Sequence, residues 1–249
     1  MKKSIFLFFA AILCALSINA ATVTSDGTAR LYFHMTNGVS WWNAGTDGNG
    51  NFGYFFNNST GKSAWSAHAV KHSESIYYIT IPEGTWAGVI LTRNNTSTSP
   101  SWDNKWNQTG DITLSDTKNY ISKFAENSTT VTWSTQKPTS NASVSSSSSS
   151  VFVGAPANLT AALTSNADIN TVKSVTYSTT TGASISGSTF TATAEGTYTV
   201  TATVTYHPNG YPSITSTATA TTTITVTVPA EEVHDVTVSY MCGSTEIAD

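Results

Sequence analysis

The sequence predicts an all-β chain of two β-sandwich domains joined by a Ser-rich linker. Three observations predict it. β-Branched and aromatic residues are plentiful and long helix formers few, a balance that favours strands. Short apolar runs recur between clusters of Gly, Pro, Asn and Asp, the spacing of a sandwich. All seven tryptophans fall between Trp41 and Trp133, and a serine run from Ser145 to Ser150 separates that region from a Thr-rich one. The expected segments are a targeting peptide at 1–20, a first sandwich at 21–135, a linker at 136–150, a second sandwich at 151–229, and the opening of a further, truncated β-module at 230–249.

The targeting peptide has a positive start, Lys2 and Lys3, and an apolar stretch from Ile5 to Leu16 that is short for a bilayer span. Small residues place cleavage after Ala20. Leu13 before Cys14 departs from a lipoprotein signal, which wants a small residue there, so secretion or cell-surface display is expected. No later segment is apolar enough for a membrane helix. Cys242 is then the one cysteine of the mature chain, and no internal disulfide is expected. Only 10% of residues are charged, the net charge is −4, and no basic stripe is present, which argues against a nucleic-acid partner.

In the first sandwich, Leu31, Phe33 and Met35 share one strand face and Tyr32 and His34 the other. Further strands are expected at Phe52–Phe56, Ile76–Ile81, Val89–Thr92 and Asp111–Leu114. The segment Ser101-Trp102-Asp103-Asn104-Lys105-Trp106-Asn107-Gln108-Thr109, flanked by Pro100 and Gly110, reads as a loop. It sets two indoles among amides, a lysine and an acid. A sugar ring needs that mixture, since its C–H face stacks on an indole while its hydroxyls bond to amides and charges. Burial of either indole under the loop is the competing reading.

These residues come in the order seen in family-26 starch-binding modules, which the first half of the chain resembles. The resemblance rests on Leu31-Tyr32-Phe33, Phe52 to Asn57, Tyr77 to Pro82, Val89 to Arg93, Val131 to Ser134 and above all Trp102 to Asp111. It implies a β-sandwich that binds α-glucan such as starch without catalysis, through aromatics on the sheet and a nearby loop. The residues it brings forward are Tyr32, His34, Trp42, Tyr54, Trp65, Trp102, Lys105, Trp106 and Gln108, with Trp41 beside them. Adjacent in an extended segment, Trp41 and Trp42 would face opposite ways, so at most one would meet a ligand. The glycine-rich Gly45–Asn51 departs from the expected pattern at that point.

Other chemistry is weakly supported. Asp47-Gly48-Asn49-Gly50-Asn51 starts like a calcium loop, but Phe52 and Asn58 stand where an EF-hand needs Gly and Glu, so a tight turn is expected. His68 and His72 have the i, i+4 spacing of helical zinc ligands without the Glu of that motif or a third ligand. No Gly-x-Ser-x-Gly pattern is present, and the carboxylates are scattered. The expectation is no catalytic residue, no metal and no cofactor.

In the second sandwich, Tyr198, Val200, Ala202, Val204 and Tyr206 alternate with Thr197, Thr199, Thr201, Thr203 and Thr205. Ile224, Val226 and Val228 repeat the pattern, after a turn at His207–Pro212. Gly196-Thr197-Tyr198-Thr199-Val200 resembles the opening of a late strand in bacterial Ig-like domains, which implies an Ig-like sandwich; its outer faces are nearly all Thr and Ser with no aromatic platform, so a spacer role is expected. The alternative to a glucan binder is a surface or adhesin-type protein whose Ig-like unit carries the interaction. A small glycosidase is the third reading, and it requires two carboxylates meeting in a cleft.

Overall fold

The computed structural model describes residues 21–35, 50–95 and 98–231, and the backbone of 240–242 and 245–247. The targeting peptide, Trp41, Trp42, the glycine-rich 45–49 and the side chain of Cys242 lie outside the described residues. The chain is all-β and forms two compact units. The first runs to Ser140 and takes in Asn166–Lys173 and Thr205–Ser216. The second comprises Asn141–Ser165, Ser174–Val204 and the residues from Thr217. Residues 166–173 and 205–216, placed in the second sandwich by sequence, thus belong to the first unit.

The first unit contains β1 (Val23–Ser25), β2 (Arg30–His34), β3 (Asn51–Asn57), β4 (Lys62–Trp65), β5 (Val70–Lys71) and β6 (Ile76–Thr80). It continues with β7 (Gly84–Trp86), β8 (Gly88–Asn94), β9 (Lys105–Gln108), β10 (Ile112–Thr113), β11 (Tyr120–Lys123) and β12 (Thr132–Ser134). One sheet has the order β10-β8-β3-β4, with β9 also on β8. The other has the order β12-β11-β2-β6-β5, and β1 pairs with β7. Alternation explains the core. Leu31, Phe33, Ile79 and Ile121 from one sheet meet Phe55, Val89 and Leu91 from the other, all essentially without solvent contact. Gly53 allows the close approach: a Cβ there would stand 2.4 Å from Ile79 Cδ1 of the facing sheet.

Tyr211 and Ile214 also belong to this core, although they lie in the turn expected to join two strands of the second sandwich. Tyr211 has no solvent exposure. Asn209 Nδ2 donates to Thr28 Oγ1 (2.7 Å) and to the Asp168 carbonyl (3.0 Å), which fixes the turn on the unit. Gly210 has a positive φ of 79°, and a Cβ there would stand 2.9 Å from that of Ala29. Glycine is therefore required on both counts.

The second unit is built on β13 (Ala142–Ser146), β14 (Ser150–Phe152), β15 (Ala157–Leu163), β16 (Asn170–Thr179), β17 (Ala183–Ser186), β18 (Thr189–Ala192), β19 (Gly196–Pro208) and β20 (Ser216–Thr227), with β16 and β19 continuing into the first. The sheet orders are β13-β15-β18-β17 and β14-β20-β19-β16. A backbone hairpin, β21 (Tyr240–Cys242) with β22 (Thr245–Ile247), follows. Tyr198, Val200, Ala202, Val204 and Tyr206 are all buried, as their alternation predicts, and β19 opens at Gly196. Val228 departs from the pattern: it lies past the end of β20 and is exposed.

The serine run is a second departure. Expected as linker, Ser145 and Ser146 end β13, antiparallel to β15, and Ser150 opens β14, parallel to β20. Backbone pairing holds these residues, and it is indifferent to serine side chains. Val151 adds an apolar contact to the unit's core.

Candidate functional site

Tyr54 on β3 stands directly opposite Trp65 on β4. Their neighbours Gly53 and Phe55 point into the core, so period-two alternation puts both rings on the outer face of the sheet. The two centroids are 5.1 Å apart with the planes at 61°. Trp102 comes from the loop after β8 and completes a trio, 4.8 Å from Tyr54 and 5.0 Å from Trp65, tilted by 67° and 53°. These are edge-to-face and tilted contacts, the favoured arrangements of aromatic quadrupoles. Trp102 remains 42% exposed, while Tyr54 and Trp65 are half-buried.

Two asparagines hold the loop. Asn94, at the end of β8 and nearly fully buried, donates from Nδ2 to the Ser101 carbonyl and to Asn104 Oδ1, and accepts from Thr92 Oγ1 (2.8 Å). Asn104 in turn donates to the Ser99 carbonyl and accepts from the Ser101 amide. Trp102 is thereby suspended between two fixed residues. Nothing in the sequence singles out Asn94, because a buried amide and an exposed turn amide look alike there.

The segment expected as one loop is half strand: 101–104 turn, and Lys105–Gln108 form β9 against β8. Thr109 anchors its end, its amide donating to the Leu91 carbonyl and its hydroxyl accepting from the Leu91 amide. Gln108 pairs with Thr92, which pairs with Phe52, two residues from Tyr54 on β3. Gln108 therefore shares the outer face with the trio. Lys105 Nζ donates to Gln108 Oε1 and lies 5.6 Å from the Trp102 ring centroid. The site thus joins tilted ring faces to an ammonium and an amide, which suits a ligand that is apolar on its faces and hydroxylated at its rim.

Trp106 is the more exposed indole, at 56%, and it pairs with Arg93, whose guanidinium carbon is 4.4 Å from its ring centroid. Partial burial pushes the Arg93 pKa down. A register shift between Arg93 and Asn94 in the β8–β9 pairing accompanies this placement. Tyr32 lies elsewhere. It sits on β2 in the opposite sheet, is buried, and packs against His72 (5.0 Å) and Tyr78 (5.8 Å). Burial above all pushes its pKa up. His34, two residues along β2, takes the same strand face and is half-buried. The expected site residues thus divide into a trio with Lys105 and Gln108, Trp106 with Arg93, and Tyr32 with His34 on the other sheet; Trp42 lies outside the described residues. His68 and His72 flank strand β5 rather than sharing a helix.

Asn94→Ala should loosen the Trp102 loop. Leaving the partners of one buried amide unsatisfied costs about 1–3 kcal/mol. A weaker near-ultraviolet circular dichroism signal from the coupled rings is the expected sign. An unchanged signal with unchanged stability would show that Asn94 does not set the loop.

No family model matches the chain, and no curated protein matches it. Among solved structures, the chain is similar to the mouse nectin-like molecule 4 full ectodomain, with 17% identity, a TM-score of 0.24, and coverage of 74% of this chain. It spans 57% of the length of that ectodomain chain. The all-β architecture rests on the strands and sheets described above.

Proposed function

We propose that the chain is a secreted, non-catalytic binder of α-glucan, related to family-26 starch-binding modules, with Tyr54, Trp65 and Trp102 as its platform. The observation that carries this reading is the tilt of three touching rings, 53–67° between planes, on an open sheet face. An α-glucan curves, so successive apolar faces meet rings set at an angle better than coplanar ones. Lys105 and Gln108 stand beside the rings to bond hydroxyls, and Trp106, paired with Arg93, offers a further exposed indole apart from the trio.

The test is retention of the mature chain on insoluble starch, beside cellulose and xylan, with release by soluble α-glucan oligomers. The intact mature chain is the proper sample, because the first unit includes residues 205–216. Passage through starch without retention, or equal retention on all three polysaccharides, would remove the reading. Release of reducing sugar from starch would replace it with the glycosidase reading.

A further inference from the structure

A cleft separate from the aromatic trio lies in the first unit, beside the sheet that carries Tyr32. It is a cleft of about 170 Å³ whose walls include Arg30, Tyr32, His72, Gln136, Lys137 and Asn170. At roughly 30 Å³ per water, it holds the equivalent of about six waters, the bulk of one sugar ring rather than of a chain. Its walls are fixed. Arg30 stacks over the Tyr78 ring at 4.1 Å, and Tyr32 meets the His72 ring at a near-right angle. The buried Asn119 donates to the Gln136 carbonyl (3.0 Å) and accepts from the Gln136 amide (2.8 Å).

The charges lining this cleft share one sign. The chain has 11 Lys and Arg among 249 residues and a net charge of −4. Two of those cations and a histidine nonetheless converge here, and among the described residues no carboxylate lines the cleft. Among the described residues no acid pairs with Arg30 or Lys137. The His72 pKa is pushed down by desolvation and, secondarily, by the Arg30 charge. The amide nitrogens of Asn166 and Asn170 are both committed to the Thr139 carbonyl, so their oxygens remain as acceptors for hydroxyl groups.

We propose that this cleft binds a single sugar unit bearing a carboxylate, with Arg30 and Lys137 receiving the carboxylate and the amides receiving ring hydroxyls. A planar guanidinium held on a tyrosine face matches a carboxylate edge. This site is separate from the α-glucan reading and does not depend on it.

The experiment is a calorimetric titration of the mature chain with glucuronate, glucose and acetate. Glucuronate should bind saturably and more weakly at higher salt, and tighter than either glucose or acetate. Arg30→Gln should weaken it about tenfold or more, the scale of a hydrogen bond to a charged group. Lys137→Gln, at an exposed position, should weaken it severalfold by the loss of one nearby charge. Both variants should keep the starch retention of the parent chain, so that failure of one site is separable from failure of the other. Glucose binding as tightly as glucuronate would overturn the charge assignment, and acetate binding as tightly would overturn the sugar assignment. If Arg30→Gln proves unfolded by its melting curve, Lys137→Gln decides: unchanged glucuronate affinity there overturns the proposal.

Discussion

Tyr211→Ala should destabilise the first unit by about 3–5 kcal/mol, by analogy with other large aromatic truncations in cores. Tyr211 is among the largest fully buried side chains, and it sits with Ile214 in the same cluster as Val23, Ala29 and Leu31. Gly210 and Asn209 fix the turn that delivers it, so the hole left by truncation cannot close by a simple shift of the loop. Its hydroxyl is buried and has no hydrogen-bond partner among the described residues. Tyr211→Phe should therefore be neutral or stabilising, since it removes a desolvated polar atom and keeps the ring. Burial, and secondarily Tyr32, push the Tyr211 pKa well above 10.0. The fold thus favours the neutral phenol. That preference is fully present below pH 10 and is lost as pH rises above the unfolded value, because the unfolded chain then releases the proton first. Tyr211→Phe should blunt this alkaline loss, with Tyr32 and Tyr120, whose pKa values are also raised, supplying the remainder. Urea midpoints for the two variants across pH check all three statements. A change within about 0.5 kcal/mol for Tyr211→Ala, the range of surface substitutions, would mean that the turn merely rests on the unit.

The same residue shows where sequence reading stops. His207-Pro208-Asn209-Gly210-Tyr211-Pro212 carries strong local turn signals, and these are satisfied. Nothing local states that the tip of a turn fills a core about 180 residues away in sequence. The serine run shows the opposite failure. Its composition reads as linker, yet β15 and β20 supply its backbone hydrogen bonds, and only Val144 and Val151 mark it as strand. Alternation read well wherever apolar and threonine residues interleave, as along β19. It places Tyr32 on the strand face opposite Leu31, Phe33 and Met35, and in the structure those three join the core cluster while Tyr32 does not. Period two gives the face of a strand and not the sheet to which the strand belongs, so it offers no check on the resemblance, which groups Tyr32 with Tyr54 although the structure sets them on opposite sheets. Tyr54, Trp65 and Trp102 were legible by residue type. The asparagines that hold Trp102 were not, because their role comes from burial and partners rather than from composition.

Removing either Trp65 or Trp102 should weaken starch binding roughly tenfold, and removing both should weaken it further, by somewhat less than about a hundredfold. One aromatic stacking contact contributes about 1–2 kcal/mol, and 1.4 kcal/mol is a factor of ten. The two indoles touch, with centroids 5.0 Å apart, and both touch Tyr54, so the effects should not be strictly additive. Trp102→Ala strips a neighbour from Trp65 and Tyr54 as well as a face from the ligand, and each single loss therefore includes part of the other. The double variant should accordingly fall somewhat short of the product of the singles. Stability separates a binding ring from a core ring. Trp102 is 42% exposed, so its loss should cost the fold less than the 3–5 kcal/mol of a buried indole. Trp86 supplies the comparison: it is buried in the core and donates from Nε1 to the Pro82 carbonyl at 2.8 Å. Trp86→Ala should lower the denaturation midpoint steeply, and starch affinity should fall only as the protein unfolds. Trp102→Ala should lower affinity with a small change in midpoint. If affinity and midpoint fall in the same proportion for Trp65, Trp86 and Trp102, the rings serve the fold alone, and the trio is not a ligand platform.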